Sequence, residues 1–467
     1  MVFSSLTFLY GFLPLTLAAY FLAPRRLRNL TLLAVSLFFY GWGEPVYVSI
    51  MILSILIDYT HGFLVERALN RGRDRLARWF VGESVVFNLL LLGFFKYWDF
   101  LAANLSRIPG LSLPALGLPL PLGISFFTFQ TMSYTIDVYR RDAPVQRNIV
   151  DFGAFVTLFP QLIAGPIVKY RTVAADLKKR SVSSGDFAQG ACRFTAGLAK
   201  KCLLANPAGE LWQSCQAAQA AGTLTAAGGW TGLLAFGLQL YFDFSGYSDM
   251  AIGLGRMLGF RFDENFDHPY CAVSVGEFWR RWHMSLTSWF REYLYFPLGG
   301  SRAGRTKTLR NLLIVWFCTG LWHGASWNFI LWGLYFGLWL ILERFVFRDL
   351  LARTPVWAKR AYTLLVVFLG WGLFAIEDLG ACGRYLAACF GGGSALWSAA
   401  DGWRLRSFGL LLALMVLGST PWPLELWRKR PERVRRALTP VLMLLGLILS
   451  TAYLVDGSYN PFLYFRF

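Results

Sequence analysis

The chain is 467 residues long, 56% hydrophobic and 15% charged, with 19 tryptophans and 41 phenylalanines, a composition that excludes an ordinary soluble globular domain. Its formal net charge of +18 would suggest a nucleic-acid partner in a soluble protein. Here the basic residues sit in short loops between apolar stretches, which excludes nucleic acid and reads as a membrane protein with cytoplasmic basic loops.

The first apolar run, Phe3 to Leu22, reaches the roughly 20 residues needed to cross a bilayer. No positive segment precedes it and "PRRLRN" follows it, so it reads as a first membrane helix and not as a secretory signal. Further apolar stretches run from Val46 to Val65, Val85 to Leu101, Trp230 to Leu254, Leu312 to Leu342, Leu364 to Ile376 and Val441 to Leu454. With the shorter stretches between them they predict an all-α polytopic membrane protein of roughly 9 to 12 membrane-embedded helices. Basic loops lie at Arg25, Arg26 and Arg28, Arg67 to Arg78, Arg140 and Arg141, Lys178 to Arg180, Arg302 to Arg310, and Arg428 to Arg436. They are expected in the cytoplasm against anionic lipid headgroups. Alternation from Arg25 puts both termini outside, including the tail "DGSYNPFLYFRF".

Regularity fails in the middle of the chain. Segment 119 to 138 opens with Pro119, Pro121 and Gly123, and segment 152 to 168 carries Pro160, Gly165 and Pro166. Irregular backbone at membrane depth is tolerated only inside protein or beside a wet cavity, so broken or re-entrant helices around an internal chamber are expected, with kinked spans as the alternative. In segment 276 to 296, Phe278, Trp282, Trp289, Tyr293 and Phe296 recur at helical spacing among Glu277, Arg280, Arg281, Arg291 and Glu292. That is an amphipathic helix at the interface or dipping into a polar cavity. No repeat or soluble domain is visible, so the chain reads as one membrane domain, with N-terminal peripheral helices over 1–118, a core over 119–345 that the resemblance described below makes catalytic, and C-terminal helices over 346–467.

Standard catalytic signatures are missing. "GGSRAGRT" has Arg305 where a phosphate-binding loop needs lysine, and neither GxSxG nor HExxH occurs. The seven cysteines have neither CxxC pairing nor zinc spacing and read as small buried hydrophobes; no metal is expected. What remains is polar groups in apolar sequence. Asp243 and Asp249 lie on a helical stretch with Tyr247; such carboxylates either bond neighbouring helices or serve function, and both readings stand. In "GLWHGASWNFILWG", His323 is flanked by Gly320, Gly324, Trp322 and Trp327, with Asn328 next. Histidine is the usual group for taking a proton from a hydroxyl near neutral pH, and a buried structural role is the alternative. His283 is the second candidate of the four histidines.

These residues also carry a resemblance. "MVFSSLTFLYGFLP", "FFKYWDF", "LPLGISFFTFQTMSYTIDVYR", "FPQLIAGPIVKYR", "LQLYFDFSGYSDMAIGLGRMLGFRFDENFDHPY", "EFWRRWHMSLTSWFREYLYFPLGG" and "GLWHGASWNFILWG" cover most of residues 1 to 345, in order. Together they resemble the membrane-bound O-acyltransferase family, in its alginate O-acetylation type. The resemblance implies a multi-helix ring around a tunnel in a bacterial inner membrane, and transfer of an acetyl group from cytoplasmic acetyl-coenzyme A toward an extracytoplasmic polysaccharide. No tightly bound cofactor is implied. It makes His323, in the WHG motif, the principal catalytic residue and His283, in "WRRWH", an assisting or donor-positioning group. Ser326 stands where the family often has asparagine. Arg280 and Arg281, with Arg302 and Arg305, are then candidates for the donor phosphates, since guanidinium groups match phosphate oxygens. Asp249 or Tyr247 would orient an imidazole, and Trp322, Asn328 and Asp243 complete the candidate orienting or binding set. A separate extracytoplasmic acetyltransferase of the SGNH type is the expected partner. Transfer of D-alanine by the same fold, or a transporter for a small polar solute, are the alternatives.

Overall fold

The computed structural model describes residues 1–163, 165–302, 304–392, 395–457 and 460, and every regular element among them is helical. The chain forms two compact units, Met1–Phe194 with Tyr247–Asp263, and Thr195–Gly246 with Glu264–Phe467. Of the tail expected outside, Ser458, Tyr459 and residues 461–467 lie outside the described residues.

Among the described residues, Val48–Asn70, Asp74–Leu105, Val356–Ala375 and Glu432–Asp456 are each long and apolar enough to cross a bilayer, and Ala399–Gly418 with Trp422–Arg428, bent by 66°, make a fifth span if counted as one. Of the other apolar stretches, Trp230 to Leu254 lies within one continuous helix, Ala226–Met257, while Phe3 to Leu22 and Leu312 to Leu342 are interrupted. The first is a π-turn, Thr7–Phe12, running into a helix, Leu13–Leu22. Segment 152 to 168 breaks into Ile149–Thr157 and Phe159–Leu162, with Leu158 at the break, as the Pro160 signal requires.

In the first unit, α1 (Leu13–Leu22) and α2 (Arg28–Gly41) precede a three-helix group, α3 (Val48–Asn70), α4 (Asp74–Leu105) and α5 (Ile124–Arg140). These three helices share a buried polar network. The Asp58 carboxylate accepts from Ser84 Oγ at 2.5 Å and from Asn88 Nδ2 at 2.9 Å, and Thr131 Oγ1 donates to Asn88 Oδ1 at 3.2 Å. Burying a carboxylate in apolar surroundings requires such partners.

Two elements of the second unit differ from expectation. The apolar stretch from Leu312 to Leu342 is not one continuous element but a hairpin, Arg305–His323 followed by Trp327–Phe345; hydropathy is blind to the reversal because the apolar run continues from one arm into the other. Segment 276 to 296 is not one amphipathic helix but Val275–Arg281, Met284–Phe290 and a π-turn Arg291–Tyr295, broken at His283, whose backbone is left-handed (φ 45°).

The hairpin arms meet glycine to backbone. A Cβ on Gly333 would fall on the Trp316 carbonyl oxygen and lie 3.1 Å from Gly320 Cα, and one on Gly320 would fall on the Phe329 carbonyl. Small residues let membrane helices approach this closely. Gly333→Val is therefore expected to lower stability by about 1–3 kcal/mol, the usual cost of overpacking. Unfolding in mixed micelles would measure it; an unchanged midpoint would contradict the close packing.

Candidate active site

The site is built by elements of the second unit. His323 is the last residue of the first hairpin arm, where Gly324 turns the chain into extended backbone. It is 5% exposed, and its imidazole lies 5.0 Å from the Trp322 ring, 4.9 Å from Trp332 and 5.4 Å from Phe374. Trp279, Trp316, Phe336 and Trp371 extend this aromatic packing around Trp332.

His283, 2% exposed, lies 6.1 Å from the Trp322 ring. The two histidines of the sequence motifs, 40 positions apart in the chain, thus share contact with one indole. Asn265 fixes the tautomer of His283. Its Oδ1 accepts from the backbone N–H of Ser285 at 3.2 Å and from Ser285 Oγ at 2.9 Å, so the atom facing His283 Nδ1 at 3.2 Å is an oxygen. Nδ1 must then carry the proton, which leaves the lone pair on Nε2. That Nε2 is buried with no hydrogen-bond partner among the described residues. The loop holding Asn265 is tied to the break by Met284 N donating to the Asn265 carbonyl at 3.0 Å and Asp267 N donating to the Arg281 carbonyl at 2.9 Å. The left-handed backbone of His283 costs on the order of 1–2 kcal/mol, and strain of this kind concentrates at functional sites.

Two more polar groups face the same surroundings without a partner among the described residues: the indole N–H of Trp332 and Oδ1 of Asn328. Asn328 anchors its amide nitrogen on the carbonyls of Leu373 and Phe374, both at 3.3 Å. It lines a cavity of about 220 Å³ together with Gly324, Ser326, Phe329, Phe374 and Glu377. The cavity opens beside His323, since Gly324 follows it in the chain and Phe374 packs on its ring.

The helix bearing Arg280 and Arg281 is held at its N-terminus by Glu343, whose carboxylate accepts from Val275 N at 2.6 Å and Gly276 N at 2.9 Å. Arg281 is engaged by Glu277 at 2.8 Å and Asp267 at 3.7 Å, whereas Arg280 is exposed. Asp243 forms a buried ion pair with Lys201 at 2.8 Å. Asp249 and Tyr247 belong to the first unit, where Asp249 pairs with Arg193 at 2.8 Å and Tyr247 stacks on Phe3 at 4.7 Å. The structure thus brings His283, Trp322, His323 and Asn328 together. Asn265, Trp332 and Glu377 join them without having been singled out in the sequence. Asn265 sits in the polar run "DENFDH", where an asparagine carries no signal, and Trp332 is one of 19 tryptophans.

The model of the membrane-bound O-acyltransferase family, MBOAT, matches residues 123–379, which include both histidines, Asn265 and the whole cavity. The probable alginate O-acetylase AlgI of Pseudomonas putida is 39% identical, covering 100% of both chains, so the likeness continues beyond the motifs of residues 1 to 345. The protein of the same name from Azotobacter vinelandii is 42% identical over 89% of this chain and 83% of its own. A peptidoglycan O-acetyltransferase of Helicobacter pylori is 35% identical over 74% of this chain and 70% of its own.

The Lys201–Asp243 pair, with side chains 3% and 1% exposed, carries its own test. Lys201→Met alone leaves a buried carboxylate and is expected to cost about 3–5 kcal/mol, while Lys201→Met with Asp243→Leu should recover most of it. Unfolding midpoints and turnover are read together: a double variant that folds normally but has lost turnover would give Asp243 a chemical role.

Proposed function

Because the chain belongs to the membrane-bound O-acyltransferase family, and is a multi-pass membrane acyltransferase, we propose that it passes an acetyl group from cytoplasmic acetyl-coenzyme A across the membrane for O-acetylation of an extracytoplasmic, alginate-like polysaccharide. The observation that carries this reading is the pairing of His323 and His283 on the Trp322 indole. The activities for which the relatives are named supply the acetyl group and the polysaccharide class.

In the proposed reaction His323 takes the proton of an acceptor hydroxyl as its oxygen attacks the thioester carbonyl. The new C–O bond forms, the C–S bond breaks, and the proton passes from the imidazolium to the departing thiolate. The cavity beside Gly324 supports this reading as the acceptor's seat, with Asn328 Oδ1 free to accept a further O–H or N–H of the acceptor. The unpartnered Trp332 N–H, on a ring 4.9 Å from the imidazole, supports a role as donor to the developing oxyanion. The Nε2 lone pair of His283 makes that residue a second acceptor, assisting or positioning the donor. Aromatic side chains packed on both imidazoles support a water-poor site that protects the thioester from hydrolysis.

The same reading assigns the protein to a bacterial inner membrane with both termini outside. It gives the acetyl group onward to a separate extracytoplasmic transferase of the SGNH type, and assigns the donor phosphates to exposed arginines such as Arg280 rather than to Arg281, whose charge is already engaged.

Free-thiol release from acetyl-coenzyme A by the purified protein in nanodiscs, with an extracytoplasmic partner present, tests the assignment. His323→Ala is expected to reduce turnover by at least the ~10²-fold that general-base removal costs. Trp332→Phe should lower kcat by about 10²-fold or somewhat less, with KM for the donor unchanged. Wild-type thiol release retained in a folded His323→Ala variant would move the chemistry to His283, and absence of release from wild type would reject acetyl-coenzyme A as donor.

A further inference from the structure

The first unit contains a built site far removed from this chemistry in kind. An outward groove of about 500 Å³ runs between α1, with the π-turn before it, and α2. Gly11, Leu15 and Ala19 recur at four-residue spacing on one wall, and Val35, Phe38 and Trp42 at three and four on the other, so each wall is a single helix face. Leu15, Phe38 and Trp42 are 72%, 56% and 60% exposed, so none of the described residues covers this face. From Thr7 to Ala19 the groove is ~18 Å long at ~1.5 Å per residue. That is a little over half of a ~30 Å hydrocarbon core, the reach of one leaflet's acyl chain.

Beyond the Ala19 end of the groove, outside its lining, two arginines gather on one tyrosine. Tyr20 follows Ala19 directly, and Arg28 lies seven residues before Val35, on the same face of α2. The Arg28 guanidinium carbon sits 5.1 Å from the Tyr20 ring centroid, and that of Arg180 5.5 Å from the same centroid. Arg180 is held there by donating from Nε to Tyr20 Oη at 2.8 Å and from Nη1 to the Asp176 carbonyl at 3.2 Å. Tyr20 Oη in turn donates to the Leu258 carbonyl at 2.7 Å. Neither arginine has a carboxylate partner among the described residues, and Arg28 Nε and Arg180 Nη2 make no hydrogen bond there. This contrasts with Arg193, Arg256 and Arg281, each of which has one.

We infer that this is a glycerophospholipid site, in which the α1–α2 groove takes an acyl chain and Arg28, backed by Arg180 on the Tyr20 ring, takes the phosphate. The two halves argue for one occupant: an apolar channel of leaflet length alone would accept any hydrocarbon, and arginines alone any anion. Their continuity on one helix face selects a molecule with a phosphate at the end of a chain. Gly11 provides a selective probe, because a Cβ there meets nothing within 4 Å, so Gly11→Leu puts its side chain on the groove wall with no contact at the Cβ to relieve.

Native mass spectrometry of the full chain in detergent, titrated with phosphatidylglycerol and with the diacylglycerol of the same chains, reads the site. Phosphatidylglycerol is expected to bind at least tenfold more tightly than the diacylglycerol. Arg28→Gln should bring it to the diacylglycerol level, Arg28→Lys should retain part of the preference, and Gly11→Leu should weaken both lipids, with thermal midpoints in lipid-free detergent matching wild type. Equal binding of the two lipids, or an Arg28→Gln variant that keeps the preference, would reduce the groove to ordinary lipid contact. Displacement of phosphatidylglycerol by coenzyme A or glycerol phosphate would assign the arginines to a free phosphate and overturn the lipid assignment.

Discussion

A polar group inside a membrane protein has no bulk water to fall back on and must find its partner within the chain. Most of this structure obeys that constraint closely. Asp58 collects hydroxyl and amide donors from a neighbouring helix, Asp243 meets Lys201, and Asn265 Oδ1 gathers two donors from Ser285 besides the imidazole of His283. Against that background the unsatisfied groups carry information. Among the described residues, His283 Nε2, the Trp332 indole N–H and Asn328 Oδ1 have no protein partner, as is also true of groups elsewhere such as Tyr40 Oη, Gln130 Nε2 and Gln161 Oε1. Each such group costs about 1–3 kcal/mol. The three beside the motif histidines are the ones that a bound substrate could satisfy, with stability given up where chemistry is needed.

Position follows from interruptions in helices. His323 ends a helix because Gly324 goes extended, and His283 separates two short helices by adopting a left-handed backbone. A side chain within a continuous membrane helix faces a neighbouring helix or lipid. One at an interruption can project along a cavity and be held by fixed groups on either side. The supports are correspondingly stiff: Glu343 clamps the N-terminus of the helix before His283, and Asn328 clamps the start of the second hairpin arm to the end of Val356–Ala375. The close glycine contacts at Gly320 and Gly333 bring the hairpin arms to backbone distance, so the tip bearing His323 has little freedom to shift.

The sequence made several of these features legible and hid others, for physical reasons. His323 and His283 stand out because ionisable side chains are rare in apolar runs, and the proline signals of segment 152 to 168 correspond to a real break at Leu158. The long apolar stretch Val85 to Leu101 falls within the single helix Asp74–Leu105, and Val46 to Val65 within Val48–Asn70 apart from its first two residues. The hairpin was hidden because hydropathy averages over Gly324 to Ser326 without sensing direction. The break at His283 was hidden because helical spacing of aromatics survives on either side of it. Asn265 was invisible because its importance lies in which proton it fixes, a relation between residues 18 positions apart that no local pattern encodes.

The carboxylates show how the same constraint sorts structure from chemistry. Sequence alone leaves Asp243 and Asp249 undecided between bonding a neighbour and acting on a substrate. In the structure each has a cationic partner at 2.8 Å, Lys201 and Arg193 respectively. A buried carboxylate already paired with a cation is a poor proton acceptor, because protonating it strands the partner's charge in low dielectric. The His283 imidazole, the Trp332 indole N–H and the Asn328 carboxamide are neutral hydrogen-bonding groups, and among the described residues their Nε2, Nε1 and Oδ1 have no protein partner. An acyl transfer run by such groups separates charge only transiently, on the imidazole that takes the proton and on the oxygen that receives the electron pair. A neutral, preoriented donor close to that imidazole then stabilises the developing charge without a standing ion to desolvate.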